Sequence, residues 1–187
     1  RELSSQLEQI SRLTEQVLYY ARSNHAEKDY FIREIRLSDV VHAAIADNRS
    51  LLRQNNVSIE AELQDHTVYT DDKWVRFILN QLIGNSIKYR ARQPALRFFT
   101  VEENGQVLLS VEDNGIGISE SDLPRIFEKG FTGRNGRTVP SATGIGLYLC
   151  RRLCEKLGIG LSAYSNGTGT TMTLSFHIND FITGVQG

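Results

Sequence analysis

The 187 residues carry 21 lysines and arginines against 22 aspartates and glutamates, a formal net charge of −1, and 40% of them are hydrophobic. That composition suits a chain able to bury a core, sized for one ordinary domain and an appendage. Near-neutrality gives no bulk attraction to nucleic acid or acidic membrane, and no apolar run approaches the roughly 20 residues a membrane span requires.

Residues 1 to about 24 contain neither Gly nor Pro. Leu3, Leu7, Ile10, Val17 and Ala21, with Thr14 in the remaining seam position, follow heptad spacing, which predicts a helix needing a partner helix. The pattern is already under way at Arg1 with no capping residue, so the helix reads as part of something longer. Ser23–Asp29 is a polar break. Alternation over Phe31–Leu37 predicts a strand, and Ser38-Asp39 a helix start with Val41, Ala44, Ile45 and Leu52 on one face up to Asn55-Asn56. Val57, Ile59, Ala61 and Leu63 alternate as a strand, and residues 67–70 form a shorter one. Thr70-Asp71-Asp72 caps a long helix running to about Arg90, which Pro94 closes.

Two strands follow, about 96–102 and 107–112, joined by Asn104-Gly105, a strong hairpin signal. Ser119–Asp122 has the form of a capping box opening a short helix. Residues 132–143 are rich in Gly, Thr and Ser and read as a mobile loop. A helix is predicted over about 144–157, then strands near 160–165 and 170–178. The expected fold is α+β, a two-layer sandwich with about three helices on a mixed, largely antiparallel sheet. Cys150 and Cys154, four apart in a helix, read as small apolar core residues, since no further ligand cluster accompanies them to make a metal or redox pair.

Four short stretches carry the chemistry: Asn85-Ser86-Ile87-Lys88-Tyr89, Asp113-Asn114-Gly115-Ile116-Gly117, Ile126-Phe127-Glu128-Lys129-Gly130-Phe131 and Gly144-Ile145-Gly146-Leu147. At about 100° per residue, Ile78, Gln81, Asn85, Lys88 and Tyr89 share one helical face. Such a face is either solvated or lines a polar pocket. In a pocket, the Asn85 carbonyl suits one position on Mg²⁺, Lys88 suits phosphate, and Tyr89 suits the wall beside a base.

Asp113 ends an alternating strand and either caps the following turn or accepts from an adenine amino group. Gly115 and Gly117 allow close backbone approach. Lys129, Arg134 and Arg137 meet no acidic residue between 129 and 150, which suits a basic lid over polyphosphate or a basic surface loop. Gly144-Ile145-Gly146 enters a helix whose free N–H groups favour phosphate, although such a pair of glycines proves little alone. No GxxxxGK[ST] loop and no GxGxxG dinucleotide fingerprint occurs.

In this order, Asn-x-x-Lys-Tyr, Asp-x-Gly-x-Gly, Phe-Glu-Lys-Gly-Phe and Gly-x-Gly-Leu resemble the ATP-binding catalytic domain of bacterial sensor histidine kinases, in the superfamily that also holds gyrase, Hsp90 and MutL. The finer wording of residues 127–137 is similar to the intramembrane-sensing kinases associated with peptide-antibiotic transporters. The resemblance implies the histidine kinase ATPase fold over residues 29–187. Over residues 1–28 it implies the second helix of a dimerisation and phosphoacceptor hairpin, with its linker.

It also implies ATP and Mg²⁺ as cofactors, with Asn85 on the metal, Lys88 on phosphate and Tyr89 beside the base. Asp113 would meet the adenine amino group, and Gly115, Gly117 and Ile118 would form the adenine turn. Phe127, Arg134, Arg137, Thr143, Gly144, Ile145, Gly146, Leu147 and Thr170 would complete the nucleotide site. Gln81 stands where many members have a second Asn and where the ATP-hydrolysing relatives carry Glu. An amide cannot take a proton from water but can orient a nucleophile, so transfer is favoured over hydrolysis. Asn80, about 140° around the helix, cannot substitute.

The implied activity is that of an ATP-dependent protein histidine kinase passing the γ-phosphoryl group to a histidine and then to a response-regulator aspartate. None of His25, His42, His66 and His177 stands in a His-Asp/Glu-x-x-x-Pro context, so the acceptor is expected outside this chain. The implied partners are a second copy of the kinase, a response regulator and a peptide-antibiotic ABC transporter, with no nucleic acid. The implied location is the cytoplasmic side of a protein anchored in the bacterial plasma membrane. The competing reading is a nucleotide-gated interaction module without phosphoryl transfer.

Overall fold

The computed structural model describes residues 30–134 and 142–178. The chain divides by its contacts between Phe31 and Ile32, and the fold set out below is that of the second unit. The helix and linker expected over residues 1–28 lie outside the described residues.

The elements run β1 (Arg33–Arg36), α1 (Leu37–Asp47), α2 (Arg49–Gln54), β2 (Ser58–Glu62), β3 (Thr67–Thr70), α3 (Asp72–Lys88), β4 (Ala95–Glu103), β5 (Gln106–Asp113), α4 (Gly146–Leu157), β6 (Gly160–Ser165) and β7 (Thr170–His177). Five strands form one sheet in the order β2-β4-β5-β7-β6, with β2 parallel to β4 and every other neighbour antiparallel. β1 and β3 form a separate antiparallel pair, Arg33 opposite Thr70 and Arg36 opposite Thr67. This is the α+β architecture expected from the sequence, with the sheet as one layer and the helices as the other.

Alternation decides which sheet face is buried. Leu96 and Phe98 of β4, Leu109 and Val111 of β5, and Met172 and Leu174 of β7 are buried, as are Ile78, Leu79, Leu82 and Ile83 of α3 and Leu149 and Leu153 of α4. Each such side chain removed from water is worth about 1.5–3 kcal/mol. α3 is fixed at its start by Asp71, whose Oδ1 accepts from Lys73 N (3.0 Å) and Trp74 N (3.3 Å). The β4–β5 hairpin turns on Asn104 (φ 52°) and Gly105 (φ 74°), two successive left-handed residues as the Asn-Gly signal requires. α4 ends at Gly158, whose left-handed φ of 67° lets the Gly158 and Ile159 amides both turn back to the Cys154 carbonyl.

Four local expectations change. The first strand stops at Arg36, and the buried Leu37 opens α1 with its amide donating to His66 O (3.0 Å), so Ser38 and Asp39 are already inside the helix. The helix predicted through Asn55 breaks at Asn48, whose Nδ2 donates to Ala44 O and Asn80 Oδ1 (both 2.9 Å). β2 alternates in sequence but is exposed along its whole length, at one edge of the sheet. Ser119–Asp122 opens only a 3-10 turn at Leu123–Arg125. There Ser119 O receives the Asp122 and Leu123 amides, while the Asp122 carboxylate is taken by the Arg134 amide.

Candidate functional site

The Asn-Ser-Ile-Lys-Tyr and Asp-x-Gly-x-Gly stretches meet where α3 ends beside the end of the central strand β5. Asp113 is the last residue of β5, opposite Leu96 on one side and Thr170 on the other. Ser86 Oγ donates to its Oδ2 (2.9 Å) and Gly115 N to its Oδ1 (2.9 Å). An ionised carboxylate offers about four acceptor directions, so one donor on each oxygen fixes its orientation and leaves acceptor directions over. Burial pushes the Asp113 carboxyl above the ordinary range, against the pull of its hydrogen bonds.

The turn after Asp113 is fastened on both sides. Ile116 N donates to Tyr89 O (3.0 Å), and a Cβ on Gly115 would lie 2.5 Å from that same carbonyl oxygen. Asn114 braces the turn against the start of β4: its Oδ1 accepts from Ala95 N (2.8 Å) and its Nδ2 donates to Gln93 O (2.9 Å). On the other side Gly117 has φ +70°, and a Cβ there would fall 2.7 Å from the Gly167 carbonyl carbon. Only glycine meets both conditions. Ile118 N completes the attachment by donating to Ser165 Oγ (2.9 Å).

Gln81, Asn85, Lys88 and Tyr89 are all part-exposed on α3 or its end, so the polar face is neither buried nor fully solvated. The Lys88 ammonium lies 5.4 Å from the centre of the Tyr89 ring. Desolvation lowers the Lys88 pKa and raises that of Tyr89. A partly desolvated cation of this kind is favoured by an incoming anion. Asn80 is held elsewhere, by Asn48 and by its own Nδ2 donating to Asp47 Oδ2 (3.1 Å), so it does not share the face.

The Phe-Glu-Lys-Gly-Phe and Gly-Ile-Gly-Leu stretches also meet. Gly130 N donates to Gly144 O (3.0 Å), so the chain leaves and re-enters this point across residues 131–143. Gly144 has φ +65°, and a Cβ would fall 2.7 Å from both Gly130 O and Phe131 N. Its need for glycine is therefore set by the close pass of Gly130. Thr143 Oγ1 accepts from Ile145 N (3.4 Å), and α4 begins at Gly146, two residues later than expected, with Leu147 part-buried beside it.

The Phe127 ring lies 5.5 Å from the Arg151 guanidinium. Arg134 donates its backbone amide to Asp122 Oδ2 (3.0 Å), which holds the Asp122 carboxyl below its usual range, and its side chain is exposed. Arg137 lies outside the described residues. Among the described residues no cluster of three or more His, Cys, Asp or Glu could hold a metal ion. Cys150 and Cys154 are buried free thiols, the latter pushed up to about 12 chiefly by burial.

Sequence reasoning missed Ser86, Asn114 and Ser165 as site-building residues. Ser86 and Asn114 sat inside the informative stretches with no role. Ser165 had no local signal, because its partners are 47 residues upstream and four downstream.

The family described as histidine kinase-, DNA gyrase B- and HSP90-like ATPase matches residues 70–180. Sensor protein BceS of Halalkalibacterium halodurans is 38% identical over 175 residues, covering 92% of this chain and 52% of that protein. Sensor histidine kinase GraS of Staphylococcus haemolyticus is 36% identical over 170 residues, covering 89% of this chain and 49% of its own. The chain thus spans about half the length of the relatives it matches.

Among solved structures, Acinetobacter baumannii histidine kinase AdeS aligns with a TM-score of 0.75 at 22% identity, over 96% of this chain and 83% of that one. Histidine kinase ThkA, in complex with response regulator protein TrrA, aligns with a TM-score of 0.74 at 18% identity, over 94% of this chain and 49% of that one. At these identities the structures speak to the fold.

Proposed function

The chain belongs to the histidine kinase-, DNA gyrase B- and HSP90-like ATPase family, and on that premise we propose that it is the Mg·ATP-binding catalytic portion of a two-component sensor histidine kinase. The observation that carries the reading is Asp113, a half-buried carboxylate with one donor on each oxygen and acceptor directions left over, at a turn closed by glycine contacts. That is the chemistry for reading an adenine amino group.

The neighbouring residues take roles their chemistry supports. Asn85 offers one oxygen to Mg²⁺, which takes its remaining ligands from phosphates and water. Lys88 neutralises phosphate, and Tyr89 flanks the base. Ile118 and Thr170 border the base side, while Phe127, Thr143, Gly144, Ile145, Gly146 and Leu147 border the phosphates. Arg134 and Arg137 supply further cation charge. Gln81 lacks the basicity to activate water, which favours transfer of the γ-phosphoryl group over hydrolysis. A bound Mg²⁺ would supply charge neutralisation for the polyphosphate.

The acceptor histidine is proposed to lie outside these 187 residues, with relay to an aspartate of a response regulator. The relatives named as sensor proteins and the solved kinase–regulator complex support that direction. Pairing of two kinase copies, association with a peptide-antibiotic transporter and anchorage in the bacterial plasma membrane belong to the same reading. Among the described residues no helix is long and apolar enough to cross a membrane.

Titration of the chain with ATP, with and without Mg²⁺, tests the site. Asn85→Ala is expected to abolish the Mg²⁺-dependent part of the affinity while leaving the fold intact by circular dichroism. Unchanged Mg²⁺ dependence removes Asn85 from the metal.

A further inference from the structure

Ser165 ends β6, outside the four stretches. Its hydroxyl accepts from Ile118 N (2.9 Å) and donates to Gly169 O (2.5 Å), using its single donor and one acceptor direction on two different loops. A Cβ on Gly117 would lie 2.7 Å from the Gly167 carbonyl carbon, and one on Gly169 would overlap the Asp113 carbonyl. Thr170, the next residue after Gly169, lies opposite Asp113 in the β5–β7 pairing, while Ile118 closes the turn that supplies the Gly115 donor to the Asp113 carboxylate.

We propose that Ser165 is a positioning residue for adenine recognition, a hydroxyl latch that holds the β6–β7 turn against the Asp113–Ile118 turn and so sets where Asp113 aims its free acceptor direction. The proposal rests on the reading of Asp113 as the adenine contact. A packing role alone requires only that the space be filled; the latch requires a group that donates and accepts at once. Removing the hydroxyl leaves Ile118 N and Gly169 O without their partner, the two turns slide, and the carboxylate loses its fixed direction while keeping its charge. Loss of direction costs discrimination between bases as well as affinity.

The test is calorimetric titration of the 187-residue chain with Mg·ATP and Mg·GTP, for the parent, Ser165→Ala, Ser165→Thr and Asp113→Asn. Ser165→Ala, which removes both hydrogen bonds, is expected to weaken ATP about tenfold and to lower the ATP-to-GTP affinity ratio. Ser165→Thr, which keeps the hydroxyl, restores both. A parental ratio in Ser165→Ala overturns the latch, even where thermal stability falls. Should Asp113→Asn leave ATP affinity untouched, the adenine reading itself fails, and that outcome is separable because it does not involve Ser165. Hydrogen exchange of the unliganded parent gives an independent reading: the Ile118 amide is expected to be protected, and exchange at the rate of an exposed loop amide overturns the latch without any variant.

Discussion

Asp113 sets the terms at the scale of single residues, because the same burial that suits it to the proposed acceptor role also makes it costly. Its folded pKa is raised, so as pH climbs from the ordinary carboxylate range the unfolded chain ionises first and the folded state loses relative stability. That loss is complete once pH passes the raised value, and it persists at neutrality. Asp113→Asn removes the buried charge, keeps an acceptor for Gly115 N and offers its amide to Ser86 Oγ. The variant is therefore expected to be as stable as the parent or more so at pH 7, and to lack the parent's fall in stability on leaving acid.

Its ATP affinity is expected to drop by at least about tenfold, since one acceptor direction becomes a donor facing the adenine amino group. In the parent, affinity is expected to decline as pH falls into the raised titration range, because the protonated carboxyl directs a hydrogen at that same amino group. Melting curves and ATP titrations across pH 4–8, in matched buffers, check both signs. A variant that is less stable than the parent and binds ATP equally well contradicts the account on both counts.

Among the elements, α3 links fold to site, since its apolar residues lie in the core and its last two turns carry Gln81, Asn85 and Lys88. The helix was legible in the sequence from its cap at Asp71 to near its end, expected at about Arg90 and found at Lys88, because capping and periodicity agree. Its neighbours were less legible for a physical reason: their boundaries depend on tertiary partners. Asn48 breaks the first helix by reaching Asn80, 32 residues away, and Asp122 spends its carboxylate on Arg134 instead of capping a helix of its own.

Asp71 is where the local signal and the tertiary result coincide, buried and accepting from two amides of the first turn. Asp71→Ala leaves both amides unpaired and is expected to cost about 1–2 kcal/mol of unfolding free energy. Urea unfolding followed by Trp74 fluorescence measures it. A change below about 0.3 kcal/mol would show that the cap contributes nothing beyond the core it precedes.

For the molecule as a whole, the sequence placed the nucleotide-site stretches in order but not in contact. Asn85 and Lys88 on one face, Asp113 at a strand end and the paired glycines could be read from spacing, because helical and strand periods are local. That Gly144 needs glycine for Gly130, and Gly117 for Gly167, could not be read, since each pair closes over a loop or across strands. The same limit applies to chemistry.

The described histidines His42, His66 and His177 lie on α1, in the β2–β3 connection and at the end of β7, away in sequence and in element from the Asn85–Asp113 cluster proposed to hold Mg·ATP. Phosphoryl transfer depends on in-line placement of acceptor and γ-phosphate, so an unplaced histidine accepts little. The purified chain with γ-labelled Mg·ATP is accordingly expected to bind nucleotide and gain no acid-labile, base-stable phosphate. A longer chain that adds the upstream helix is expected to gain it, and to lose it again with Asn85→Ala. Label on the 187-residue chain itself would place the acceptor among its own four histidines. Label on neither chain, with ATP still bound, would favour a nucleotide-gated interaction module over a kinase.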